Sequence, residues 1–261
     1  MHPKKKLVNY YKNIIYKIKN KINLDTQTLN LKSLNDLFNY FGTDKGTEVI
    51  DPYQKKSINL DQKFIGHGYG EFYEKHLNIF KDKKINILEI GTWKGASVAS
   101  FYHYFKKAII FCIDKNYKFQ FKSNRVKFFK CDTEKLNEVY DFNNYLKENK
   151  INYFDVIIDD GSHNYQDILN NFQRFFKKIK SGGFYIIEDF KHHKIHPNYV
   201  NDAPSNSIDI DEILINLNKK ELFKSTILDY EFQNYCFDVI SNIKTHKGIQ
   251  EFSFIAFIQK K

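Results

Sequence analysis

From Lys84 onward the chain alternates short apolar runs with amphipathic stretches. KINILEIG (84–91), AIIFCID (108–114), VKFFKCD (126–132), YFDVIIDD (153–160) and FYIIED (184–189) are apolar runs of strand length. Between them, ASVASFYHYFKK (96–107), the stretch from about Thr133 to Lys147, and NYQDILNNFQRFFKKIK (164–180) carry the spacing of helices, the last ended by Ser181-Gly182-Gly183. Strands apolar on both faces and separated by helices belong to a parallel sheet covered on both sides. After a polar, proline-containing loop (191–207) and a helix near 208–219, the runs 225–241 and 251–260 read as a closing antiparallel pair. The pattern predicts an α/β fold: a doubly wound, mostly parallel, Rossmann-like sheet with an antiparallel C-terminal hairpin. Residues 1–83 break the alternation, with helical stretches and two unusual loops, FGTDKGT (41–47) and GHGYGEFYEKHL (66–77). They read as a small helical appendage that packs over the carboxyl edge of the sheet and contributes to the active site. Residues 84–261 form the main domain.

Composition narrows the class. With 42% hydrophobic and 17% aromatic residues, the 261-residue chain can bury a large core, which argues against disorder. No window approaches 18 uninterrupted apolar residues, so no membrane span is expected. The basic start has no apolar segment or cleavage site of a secretory signal. Residues 4–23 read as a solvated, Lys-rich helix, with a membrane- or polyanion-binding amphipathic helix as the alternative. Cys112, Cys131 and Cys236 form no CxxC pair or disulfide framework, which fits a reducing, cytoplasmic setting. The formal charge of +10 comes from lysines scattered along the whole chain. That is a composition bias more than a nucleic-acid patch, and it suits an anionic small-molecule substrate.

The candidate chemistry lies at the strand ends. ILEIGTWKGAS (87–97) is a strand, a glycine turn and a helix start, and ligands of open α/β sheets sit beyond such ends. Gly91 and Gly95 permit close backbone approach, but the spacing is G-x-x-x-G, not the dinucleotide G-x-G-x-x-G. Glu89, just before the turn, would repel a pyrophosphate and welcome a cation. Asp114 ends the second strand, where an acid binds ribose hydroxyls, and Asp132 ends the third, within reach of an adenine or ribose. Either aspartate could instead cap a helix. Together the three acids point to a nucleoside carrying a cation, for which S-adenosylmethionine is the obvious candidate. YHYFK (102–106) has the Y-x-x-x-K spacing of short-chain reductases, but it follows the first strand, too early in the fold for that role.

Asp159 and Asp160 end the fourth strand, and Glu188 and Asp189 end the fifth. Neighbouring strands lie about 4.8 Å apart, so these carboxylates should gather at one edge. Like charges that close call for a cation, and a hard divalent ion such as Mg²⁺ fits. His163, just past Asp160, is placed to act as a general base, or else it stands beside a helix cap formed by Ser162. His192, His193 and His196 lie in the 191–207 loop, which reads as a substrate-facing lid rather than a zinc site. A nucleic-acid amine methylase would carry an N/D-P-P-Y motif after strand four. DDGSH stands there, and the only DPY (51–53) is elsewhere.

FGTDKG (41–46), HGYGEFYEKHL (67–77), ILEIGTWKGAS (87–97), IIDDGSH (157–163) and GGFYIIED (182–189) together resemble metal-dependent class I S-adenosylmethionine O-methyltransferases acting on sugars. The likeness is to the macrolide-sugar enzymes of the mycinamicin and macrocin type, over residues 38 to 190. It implies a metal held by Asp160, Glu188 and Asp189, with His163 as the base. It implies a cofactor held by the strand-one turn (Gly91, Thr92), by Asp114, and by the segments bearing Thr43, Lys45 and Tyr69. Packing of the appendage against the sheet is the alternative role for those last three. Asp159 is left to support the cofactor edge. The sequence shows no long N-terminal oligomerisation domain like that of the macrolide enzymes, which leaves the substrate and the possible homo-oligomer open. Its basic balance favours a nucleotide-activated hexose or heptose bound for a surface polysaccharide, with a macrolide-type glycoside as the alternative.

Overall fold

The computed structural model describes residues 21–50, 63–116, 118–196, 198–199 and 201–261. Most of the Lys-rich 4–23 segment and the DPY tripeptide lie outside the described residues. Its last two residues, Ile22–Asn23, form a short strand parallel to Phe121–Lys122.

Seven strands make the central sheet: β1 (Asn86–Ile90), β2 (Ile109–Asp114), β3 (Val126–Lys130), β4 (Phe154–Asp159), β5 (Ile179–Glu188), β6 (Ile240–Lys247) and β7 (Phe254–Lys260). Their order is β6-β7-β5-β4-β1-β2-β3. The pairings among β1 to β5 are parallel, and β7 runs antiparallel to both β5 and β6. Because β1 pairs with both β2 and β4, the winding reverses there and opens a crevice beyond its carboxyl end.

Alternate strand residues face opposite layers. Leu88, Ile90, Ile157 and Tyr185 pack against α4 (Leu136–Glu148), α5 (Tyr165–Phe175), α6 (Ile210–Lys219) and α7 (Tyr230–Val239). Ile87, Ile110, Ile158 and Ile186 pack on the other side, against α1 (Leu34–Phe41), α2 (Gly70–Leu77) and α3 (Ala96–Tyr104). The N-terminal appendage is therefore more than a cover over the strand ends, because α1 and α2 complete one of the two core layers. Phe38 of α1 makes edge-on ring contacts with Tyr73 and Phe101, at 5.9 and 5.5 Å between centroids. Ser33 caps α1 by accepting the Asp36 N–H, and Gly42 ends it in the left-handed conformation.

Two boundaries differ from the sequence expectation. The run 225–241 is not a strand: Tyr230–Val239 is helical, and β6 begins only at Ile240. Asp229 caps this helix by accepting the Phe232 N–H at 2.7 Å, and Phe232, Gln233 and Cys236 are buried at helical spacing. Its Tyr, Phe, Cys and Val residues favour strands in isolation, and the cap and burial override that preference. The second difference is the Ser181-Gly182-Gly183 stop. Helix α5 ends earlier, at Phe175, and β5 already runs through those glycines from Ile179. Among the described residues no helix is long and apolar enough to cross a membrane.

Candidate active site

The crevice beyond β1 is a cavity of about 380 Å³, within the usual range for small-ligand sites. Its walls are the turn from Ile90 to Ser97, the ends of β2 and β3 with Asp114 and Asp132, residues Asp160 to His163, and Thr43-Asp44 of the appendage. Gly91 sits at φ +86°, and a Cβ there would lie 1.9 Å from the Asp160 carbonyl oxygen. Only glycine allows the β1 turn to press against the end of β4. Asp114 accepts the Trp93 N–H at 2.8 Å and the Asn116 N–H at 2.6 Å, which ties the β1 turn to β2. The Thr92 hydroxyl donates to the Ile113 carbonyl at 3.3 Å. Asp132 is engaged by the Lys135 ammonium and by the Glu134 N–H.

Five expected cofactor residues thus line the crevice: Thr43, Gly91, Thr92, Asp114 and Asp132. Asp159 does not, since strand alternation turns it to the opposite face of the sheet. There its buried carboxylate accepts from Asn171 at 3.1 Å and Tyr185 at 3.2 Å, and burial pushes its pKa up to about 7. Glu89 is also outside the lining. It is fully buried, with the Ser97 hydroxyl as a hydrogen-bonding neighbour. Burial lifts its pKa to about 7, against the pull of Lys45. Lys45 and Tyr69 belong to a different cluster.

That cluster is the acidic edge of β4 and β5. Lys45, 1% exposed, places its ammonium 2.5 Å from Asp160 Oδ2 and 2.7 Å from Glu188 Oε2. Tyr73 donates its hydroxyl to the other Glu188 oxygen, and Tyr69 donates to Asp189 Oδ1 at 2.5 Å. Tyr69 and Tyr73 are four residues apart at the start of α2, so one helix face serves two consecutive acids. The sequence expectation passed over Tyr73 although it lies inside the HGYGEFYEKHL motif, where its spacing from Tyr69 was the available signal. Burial and the neighbouring Glu188 carboxylate raise the Asp189 pKa well above the carboxylate range. Burial likewise raises Asp160, with Lys45 opposing and Glu188 adding to the shift. Lys45 would lose its proton through burial alone, but Asp160 and Glu188 hold its pKa well above normal.

His163 joins the two regions. It lines the crevice, and its Nε2 lies 3.6 Å from Asp160 Oδ1. Burial pushes its pKa down to about 3, with Lys45 adding to the shift, so the imidazole is neutral, although burial also makes it a weaker base than a free histidine. His163 and Asp189 both have left-handed backbones, at φ +59° and +54°, a cost that clusters at functional sites.

The residues fit a divalent cation. When ionised, Asp160, Glu188 and Asp189 carry more negative charge than Lys45 returns, and the neighbouring Asp44 adds to the excess. Asp160, His163 and Asp189 offer three donor atoms within 4.8 Å of one another. Glu188, expected as a third ligand, has one oxygen engaged by the Tyr73 hydroxyl and the other by the Lys45 ammonium.

Residues 88–190 match the family described as "Methyltransferase domain". The chain is 28% identical over 134 residues to demethylmacrocin O-methyltransferase of Streptomyces fradiae, covering 47% of this chain and 32% of that protein. It is 29% identical over 155 residues to L-olivosyl-oleandolide 3-O-methyltransferase of Streptomyces antibioticus, covering 55% and 38%. The chain therefore spans about a third of the length of these relatives. Its fold matches that of MycE methyltransferase from the mycinamycin biosynthetic pathway, solved with Mg, S-adenosylhomocysteine and mycinamycin VI. That match has a TM-score of 0.60 at 18% identity and covers 88% of this chain and 55% of the other. The chain has a class I methyltransferase fold, and its sequence resembles the macrolide-sugar O-methyltransferases.

Proposed function

We propose that the protein transfers a methyl group from S-adenosylmethionine to a sugar hydroxyl with the help of a divalent metal, Mg²⁺ in the first instance. The observation that carries this reading is the junction at residues 160–163. There the nucleoside-sized crevice opens directly onto a carboxylate cluster and a neutral imidazole.

Each residue has a distinct task in this reading. Gly91, Thr92 and Thr43 shape the wall against the cofactor, and Asp114 offers its remaining lone pairs to the ribose hydroxyls. Asp160, Glu188 and Asp189 would hold the metal, while Tyr69, Tyr73 and Lys45 fix those carboxylates in place. When bound, the metal supplies Lewis acidity that lowers the pKa of a sugar hydroxyl. His163 Nε2 takes the hydroxyl proton, and the crevice walls keep water from the oxygen that attacks the methyl group.

Among the relatives, L-olivosyl-oleandolide 3-O-methyltransferase is named for a substrate whose sugar is already attached to a larger molecule. A small-molecule glycoside is therefore the substrate class we adopt, in place of the nucleotide-activated hexose or heptose suggested by charge. The test is transfer of labelled methyl from S-adenosylmethionine to paired panels of glycosides and nucleotide-linked sugars, with Mg²⁺ or with chelator. Chelator-sensitive methylation of a glycoside hydroxyl is the expected result. Activity undiminished by chelator removes the metal role, and exclusive use of nucleotide sugars reverses the substrate class.

A further inference from the structure

Beside the carboxylate cluster lie two histidines that the proposed reaction does not use, grouped around Asp189. His67, Asp189 and His192 are all buried, and each offers a ligand atom within 4.8 Å of the others. His67 Nε2 stands 3.6 Å from Asp189 Oδ2, and His192 Nε2 stands 3.4 Å from Asp189 Oδ1. Each histidine thus approaches a different oxygen of the same carboxylate, at separations near the roughly 3.3 Å between donors of a tetrahedral ion with bonds of about 2.0–2.1 Å, and Tyr69 shares the Oδ1 that faces His192.

Two further observations point to a ligand. His192 is 4% exposed, and neither of its ring nitrogens has a hydrogen-bond partner among the described residues. A buried imidazole with no partner is costly, and a metal bond to Nε2 would relieve that cost. The second is the orientation of His67: its Nδ1 is 2.6 Å from the Ser253 hydroxyl, on the side opposite Asp189. A proton held at that Nδ1 leaves the Nε2 lone pair aimed into the cluster, the outer hydrogen bond common to histidine ligands. His192 is fixed as well, since its backbone N–H donates to the Asp189 carbonyl at 2.8 Å and begins a short helical turn. Phe252 stands edge-on to both rings.

We infer that His67, Asp189 and His192 form a second cation site that takes a borderline transition metal such as Zn²⁺ or Fe²⁺, distinct from the oxygen-donor Mg²⁺ position. Two imidazoles and one carboxylate suit such ions, whereas Mg²⁺ prefers oxygen ligands. Asp189 belongs to both donor sets, so the two positions share a carboxylate.

The test uses metal alone, with no cofactor or sugar, so its outcome is independent of the methyl-transfer reading. Metal-free protein is titrated with Co²⁺ in excess Mg²⁺, and binding is followed by visible absorption. One tightly bound Co²⁺ is expected. H67A and H192A should each weaken it at least tenfold, whereas H193A, which alters a neighbour outside the cluster, should shift it less than twofold. X-ray absorption of the unmodified, Zn²⁺-loaded protein gives a second measure that needs no variant: two imidazole nitrogens are expected in the first shell. An all-oxygen shell, or Co²⁺ affinity unchanged in both histidine variants, overturns the proposal.

Discussion

The acids at the carboxyl edge of the sheet fall into two groups held in opposite ways. Asp114 and Asp132, on the β2–β3 side, are held by partners close in the chain or in the neighbouring turn: backbone N–H groups and the surface ammonium of Lys135. Asp160, Glu188 and Asp189, on the β4–β5 side, are held by buried side chains of the N-terminal appendage more than a hundred residues earlier. Water and backbone dipoles stabilise the first group at little cost. The second depends on a tertiary arrangement that must form as a unit.

The sharpest attempt to break this contrast is at His163, which touches both groups. His163→Gln should lower kcat about 10²–10⁴-fold, the usual contribution of a positioned base, while calorimetric affinity for S-adenosylmethionine stays within a few-fold of wild type. Next comes the ion pair itself. Lys45→Met leaves buried carboxylates without their counter-charge and should cost about 3–5 kcal/mol of stability in a denaturant melt. Lys135→Met, on the other side of the sheet, should leave the melt unchanged, because that ammonium is exposed and screened. Equal effects from the two lysines would erase the distinction.

Glu89 gives a pH-dependent version of the same test. Its native pKa near 7 lies above the ordinary 4.5, so between those values the native state holds a proton that the unfolded state has released. This contribution to stability is full below pH 4.5 and fades as pH rises through 7. Glu89→Gln removes the titration, so its stability relative to wild type should climb by up to about 3 kcal/mol between pH 4.5 and 8. A flat difference in melts across that range would mean that Glu89 stays ionised in the fold. The smallest effect is expected in the crevice, where Asp114→Asn should weaken S-adenosylmethionine by about 1.5–3 kcal/mol and leave Co²⁺ binding untouched.

This contrast also explains what could be read from the sequence. Parallel strands, the switch at β1 and the positions of Asp114, Asp132, Asp160 and Glu188 follow from local apolar runs and from which residue ends each run. The clustering of Lys45, Tyr69 and Tyr73 on the acids is a long-range event that periodicity does not record, and the FGTDKG and HGY motifs hinted at it only through family likeness. Asp159 lies outside the crevice lining because a strand sends consecutive residues to opposite faces, whereas two consecutive aspartates look equivalent in a string. The helix at Tyr230–Val239 was hidden for a related reason: its aromatic and β-branched residues favour strands, and the Asp229 cap and the apolar face it presents to the core decide otherwise.

The crevice and the acidic cluster have been described as neighbours, but at Gly91 they share a partition one peptide thick. A single methyl group there would meet the Asp160 carbonyl at 1.9 Å. The crevice wall therefore has no independent thickness: its outer surface is the backbone that carries Asp160. No side chain at position 91 can remodel the crevice and leave the acidic edge where it is.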